Sequence, residues 1–150
     1  MTTAAFAPAQ EWGAPQRPAR AVISISPYDS AEPLPWLGSV VDRLNEVALL
    51  EAGWDGDNAM PPTQEAGLAA IRAVCEVMWR DTPVPAIVPM FDGGLQFEWH
   101  RRDLDIEMTV APDGSRHVWI SAAGGQTEID QEFRDAVDDL RNHLGMLTQA

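Results

Sequence analysis

Between Leu95 and Ser121 apolar and polar residues alternate with a period of two, and this stretch limits the possible folds more than any other. Leu95, Phe97 and Trp99 fall on one side of an extended chain, and Gln96, Glu98 and His100 on the other. After Arg101-Arg102 the pattern resumes, with Leu104, Ile106, Met108 and Val110 set against Asp103, Asp105, Glu107 and Thr109. Such alternation means strands with one buried face and one wet face. A two-residue turn at Arg101-Arg102 would pair Trp99 with Leu104, Phe97 with Ile106 and Glu98 with Asp105. That register keeps both apolar sets on one side, and a slip of one residue would exchange the faces. Pro112-Asp113-Gly114 suits a three-residue hairpin loop closed by a glycine in the left-handed region. This second turn pairs Met108 with Val118 and Ile106 with Ile120. It places Thr109 beside His117, Glu107 beside Trp119 and Asp105 beside Ser121 on the wet face.

Helical periodicity surrounds this hairpin pair. From about Trp36 to Glu51, Leu37, Val40, Val41, Leu44, Val47 and Ala48 form an apolar stripe, and Gly53 is placed to end the helix. Thr63 is an N-cap for a second helix, about Gln64 to Arg80, with Glu65 in its first turn. Leu68, Ile71, Cys75 and Met78 share one side of it, so Cys75 is expected in the core. Ala86 to Met90 reads as a strand, with Pro89 suited to a sheet edge. Gln126 to Ile129 reads as a last short strand. Asp130 is placed to cap a final helix from about Gln131 to Leu147, with Phe133, Val137, Leu140, Leu144 and Leu147 inward. His143 near the end of that helix complements its dipole. Ala21 to Ile25 is a further strand candidate. Residues 1–20, rich in Ala, Pro and Gln, have no periodicity and are expected to lack fixed structure. The expectation is one α+β domain over residues 21–150. It is a two-layer sandwich: an antiparallel meander of three to five strands with about three helices on one face.

Composition narrows the function. The 150 residues carry a formal net charge of −13, and every one of the ten fixed cations is arginine. This acidity argues against direct nucleic-acid binding, which needs a basic footprint. It favours attraction to basic surfaces. The single cysteine excludes an internal disulfide and fits a reducing, cytoplasmic compartment. No apolar run is long enough for a membrane span, and the first residues lack the basic-then-apolar pattern of a secretory signal.

Polar residues converge only on the wet face of the hairpins. Glu98, Asp105, Glu107, Trp119, His117 and His100 are the candidate site residues. Like charges facing across strands are destabilising unless water, a cation or a basic partner relieves them. A large aromatic on a wet face is unusual unless a partner or the protein's own helix covers it. The first reading is therefore a binding protein without a cofactor. It would engage a basic partner surface, such as a toxin or a nucleic-acid-binding protein, in the manner of an antitoxin, immunity protein or inhibitor. The alternative is a divalent-metal-dependent hydrolase using Glu98, Asp105, Glu107 and the histidines, with His100 oriented by Asp103. No HExxH, GxSxG, P-loop or dinucleotide fingerprint is present. Asp55 and Asp57 have the spacing of two EF-hand ligands. The later ligand positions fall on Ala59 and Ala66 and the glycine position on Met60, so a turn anchored by Trp54 is expected instead.

Two motifs carry a resemblance. Gly53-Trp54-Asp55-Gly56 is followed by Ala59, Pro61-Pro62 and a helix; Asp92-Gly93-Gly94-Leu95-Gln96-Phe97-Glu98-Trp99 leads an acidic strand. Over roughly residues 50–114 the chain resembles a group of small bacterial proteins with a GWDG segment and a GG-x-Q-x-E-W strand. The resemblance implies no catalytic residue. It implies an accessory role of the kind found beside toxin–antitoxin or phage-defence genes.

Overall fold

Alternation over residues 95–121 produces three strands of a five-stranded antiparallel meander. A computed structural model describes residues 32–148. The strands are β1 (Ala86–Pro89), β2 (Leu95–Arg101), β3 (Leu104–Val110), β4 (Arg116–Ala122) and β5 (Thr127–Glu132), hydrogen-bonded in chain order. Helices α1 (Leu37–Ala48) and α2 (Gln64–Val77) precede them, and α3 (Phe133–Thr148) follows β5 directly. All three helices pack on one face of the sheet, giving the expected two-layer α+β sandwich. The strand candidate at residues 21–25 and the N-terminal tail lie outside the described residues.

The inward face of the sheet presents Leu95, Phe97, Trp99, Ile106, Met108, Val110, Val118 and Ile120, all buried. Each full burial of this kind contributes about 1.5–3 kcal/mol relative to exposure. The β3–β4 register is the one expected, with Met108 opposite Val118 and Ile106 opposite Ile120. Gly114 adopts φ 84° in the three-residue loop. The β2–β3 register differs by two residues. The turn is Arg102-Asp103, Arg102 takes φ 52°, and Trp99 faces Ile106 while Phe97 faces Met108. A two-residue shift leaves every side chain on its own face, so the alternation cannot detect it. Packing decides it, because this register sets Leu95 opposite Val110 and buries both. Leu104 is left half-buried at the hairpin end.

Two other expectations are corrected. Asp130 does not cap a helix; it lies inside β5, and α3 begins at Phe133. Thr127–Glu132 has one partly buried apolar residue, Ile129, opposite Ile120, so backbone pairing rather than hydrophobic patterning defines this strand. On α2 the buried side is Ala66, Ala70, Ala73, Val74 and Val77; of the expected stripe Met78 is buried and Ile71 half-buried, while Leu68 and Cys75 are exposed. Small residues let the helix lie close to its neighbours and turn Leu68 and Cys75 toward solvent. Neighbouring bulk pushes the Cys75 thiol pKa up, so it stays a neutral, weak nucleophile.

Turns and tryptophans tie the layers together. Thr63 caps α2 by accepting from the Ala66 amide at 3.0 Å, and its hydroxyl donates to Pro112 O at 2.6 Å. Gly53 does not close α1. It opens the next turn, donating to Ala59 O, while Asp55 accepts from the Asp57 and Ala59 amides and Trp54 Nε1 donates to Met60 O. Trp36 Nε1 donates to Trp79 O, Trp79 Nε1 to Arg141 O, and Trp99 Nε1 to Pro83 O. At the β1 edge Arg43 Nε donates to Ile87 O, so a helix side chain occupies an acceptor there.

Gly94 shows how tightly the hairpins are set. A Cβ there would lie 2.6 Å from Val110 O, whereas one at Gly67 in α2 would meet nothing within 4 Å. Gly94→Ala is expected to destabilise the fold by about 1–3 kcal/mol, through forced backbone movement. Gly67→Ala is expected to stabilise it by about 0.5–1 kcal/mol. Urea denaturation of the two variants beside the parent measures both effects.

Candidate acidic binding face

The face of the sheet opposite the helices is assembled by strand register alone. It reads across in three rows. The first is Val88, Gln96, Thr109, His117 and Glu132. The second is Ala86, Glu98, Glu107, Trp119 and Asp130, and the third is His100, Asp105, Ser121 and Glu128. All the residues singled out from the sequence, Glu98, Asp105, Glu107, Trp119, His117 and His100, stand together on it. Their pairing is revised in one place: Glu98 faces Glu107, and His100 faces Asp105, not Asp103.

Six carboxylates occupy these rows: Glu98, Asp105, Glu107, Glu128, Asp130 and Glu132. No arginine does. The arginines that flank the strands on their inward side serve α3 instead. Arg101 Nη1 donates to Leu147 O at 3.0 Å, and the Arg116 guanidinium lies 4.2 Å from the Phe133 ring centroid.

His100 is clamped between two acids. Its Nδ1 lies 2.9 Å from Asp105 Oδ1 and its Nε2 3.2 Å from Glu98 Oε2. Glu98 is itself held by Gln96, whose Nε2 donates to Glu98 Oε1 at 2.9 Å. The Asp105 contact, then the Glu98 contact, holds the imidazole pKa above its ordinary value of 6.5. A doubly hydrogen-bonded imidazolium thus offsets part of the repulsion between Glu98 and Glu107. His117 Nε2 lies 3.0 Å from Asp130 Oδ1, and Trp119 Nε1 donates to Glu128 Oε1 at 3.0 Å. None of the described helices covers Trp119, which is half-buried among its sheet neighbours.

Both ring nitrogens of His100 are committed, which suits a structural cation better than a general base. Among the described residues no three His, Cys, Asp or Glu side chains are grouped closely enough to hold a metal ion. No described helix is long and apolar enough to cross a membrane. Glu128, Asp130 and Glu132 escaped the sequence reading, and Gln96 was placed on the wet face but not in the site. β5 lacks alternation, so nothing in its sequence places Asp130 beside Trp119. For Gln96 the signal existed, since it lies on the same strand side as Glu98.

The clamp has a pH signature. Because the folded-state pKa of His100 is raised, its protonation favours the folded state fully below about pH 6.5. That contribution is lost as pH rises through the raised value. Proton NMR of the three histidines is expected to show His100 titrating above 6.5, with Asp105→Asn lowering its midpoint more than Glu98→Gln. A His100 midpoint unchanged by either substitution would show that the clamp does not form in solution.

Nothing matches the chain among protein-family models, among curated proteins or among solved structures, so the roles of the open-face residues rest on their geometry.

Proposed function

We propose that this protein is an acidic binding module that engages a basic protein surface through the open face of its sheet. The observation that carries the reading is the composition of that face: six carboxylates and no arginine, arrayed around Trp119. Charges of one sign on a single face steer a basic partner into encounter before contact. Trp119 supplies the flat, amphipathic contact area typical of an interface anchor. A surface that presents carboxylates in rows suits a partner whose own role is to hold phosphates, such as a toxin nuclease or another nucleic-acid-binding protein. In that case the module acts as an inhibitor or antitoxin, occupying the groove that nucleic acid would fill. Neither a cofactor nor a catalytic step is part of this role.

The test is affinity capture from lysate of the source cell, read by mass spectrometry. The native protein runs beside the triple variant Glu98→Gln, Asp105→Asn, Glu107→Gln. A basic protein retained by the first and lost by the second is the expected outcome. Its association rate should fall as salt is raised, because the attraction is screened over about 8 Å at physiological ionic strength. Trp119→Ala should weaken the complex by about 2 kcal/mol or more, roughly 30-fold. Retention of the same partner by the triple variant at equal affinity would remove the open face as the interface.

A further inference from the structure

A second feature lies on the other side of the molecule and does not depend on the acidic face. The α2 helix and the β3–β4 loop enclose an open groove of about 340 Å³, within the range of small-ligand sites. Arg72 of α2 and Arg116 of β4 both line it. Most other described arginines are engaged. Arg43 pairs with Glu46, Arg80 with Glu32 and Arg134 with Asp135, while Arg101 and Arg141 donate to main-chain carbonyls. Arg72 makes no hydrogen bond or ion pair with any described residue. Among the described residues Arg116 only stacks on Phe133, which orients its guanidinium and leaves the side-chain N–H groups without a described acceptor. In a chain of net charge −13, carboxylates that could neutralise these two cations are abundant, yet neither is paired with one among the described residues.

The groove is held open by its walls. Thr63 ties the N-terminus of α2 to the loop through Pro112 O. Gly114 rests against the helix so closely that a Cβ would lie 3.4 Å from Ala69 Cβ and from Glu65 O. Asp113, also in the lining, spends one carboxylate oxygen on the Ser115 amide and hydroxyl, at 2.9 and 2.7 Å. Leu68, 41% exposed and on the helix side that periodicity had assigned to the core, forms an apolar wall of the groove.

We infer that this groove binds a small ligand bearing an oxyanion, a carboxylate or a phosphate, between the Arg72 and Arg116 guanidiniums, with an apolar portion against Leu68. Guanidinium is the side chain best shaped to hold either anion in a forked pair of hydrogen bonds. Glu65 and Asp113 at the margin disfavour extra negative charge and favour a singly charged oxyanion, or one with a neighbouring ammonium group.

Titration of the labelled full chain by ¹H–¹⁵N NMR tests this. The probes are sodium phosphate and sodium acetate, each against sodium chloride at matched ionic strength. The expected result is saturable movement of the Ala69 and Gly114 amides with one or both oxyanions and none with chloride; whichever binds tighter identifies the anion class. Arg72→Gln should weaken the response about tenfold, as loss of a charge-assisted hydrogen bond implies. Arg102→Gln, in the turn at the opposite end of β3, should leave it unchanged, and Glu65→Gln should tighten it. Arg116→Gln should act like Arg72→Gln. Because Arg116 also packs on Phe133, the exposed Arg72 carries the test should the Arg116 variant lose its fold. Shifts that fail to saturate, that match those of chloride, or that persist in Arg72→Gln would overturn the proposal.

Discussion

One-sided burial of the sheet is the constraint on which everything else depends. Phe97, Ile106, Met108 and Ile120 lose their contact with water entirely, and they do so on a single face. Period-two geometry then leaves no choice about the other face: whatever alternates with them must stand in solvent. The sequence fills those positions with Glu98, Asp105, Glu107, His117 and Trp119. The acidic surface is therefore the complement of the core rather than a separate construction, and it inherits the rigidity of the strands that carry it.

The helices are fixed to this platform by apolar contact and by indole donors. Trp79 joins them, since its carbonyl receives Trp36 at the head of α1 and its own ring nitrogen reaches Arg141 in α3. Arg141 lies over the same ring at 4.7 Å and donates to Glu76 O, so one arginine binds α3 to the end of α2. These bonds pair polar groups that packing would otherwise strand without water. They also explain where the positive charge of the molecule goes. Arginines near the sheet lie on the side of the helical layer, and the carboxylates of the open face meet His100, His117, Gln96 and Trp119 instead.

Much of this was legible in the residues themselves. Strand faces, the β3–β4 register and the Thr63 cap follow from alternation, a Pro-Asp-Gly loop and a capping hydroxyl. The β2–β3 register was not legible. Alternation is blind to a shift of two, and an arginine in the left-handed region is not a turn signal that sequence rules anticipate. Burial of Val110 against Leu95 settles that register, and only packing reveals it. β5 was half legible because it is held by its partner's backbone and not by its own pattern. That gap hid Asp130, Glu128 and Glu132 from the candidate site. The buried side of α2 was misjudged for a related reason: alanines at 66, 70 and 73 permit close approach, and size outweighed hydrophobicity in choosing the face.

The two margins of the sheet differ in kind. At β1, Pro89 and the Arg43 bond to Ile87 O blunt the edge by geometry. At β5, the last strand, Glu128, Asp130 and Glu132 stand in a row, and like charge is what discourages a second copy from adding its own strand there. Geometry is indifferent to dissolved salt, whereas repulsion between exposed charges is screened by it. The margin at β5 therefore loses its guard in concentrated salt, and there resistance to strand addition and the attraction of the proposed binding face weaken together, because the same side chains supply both.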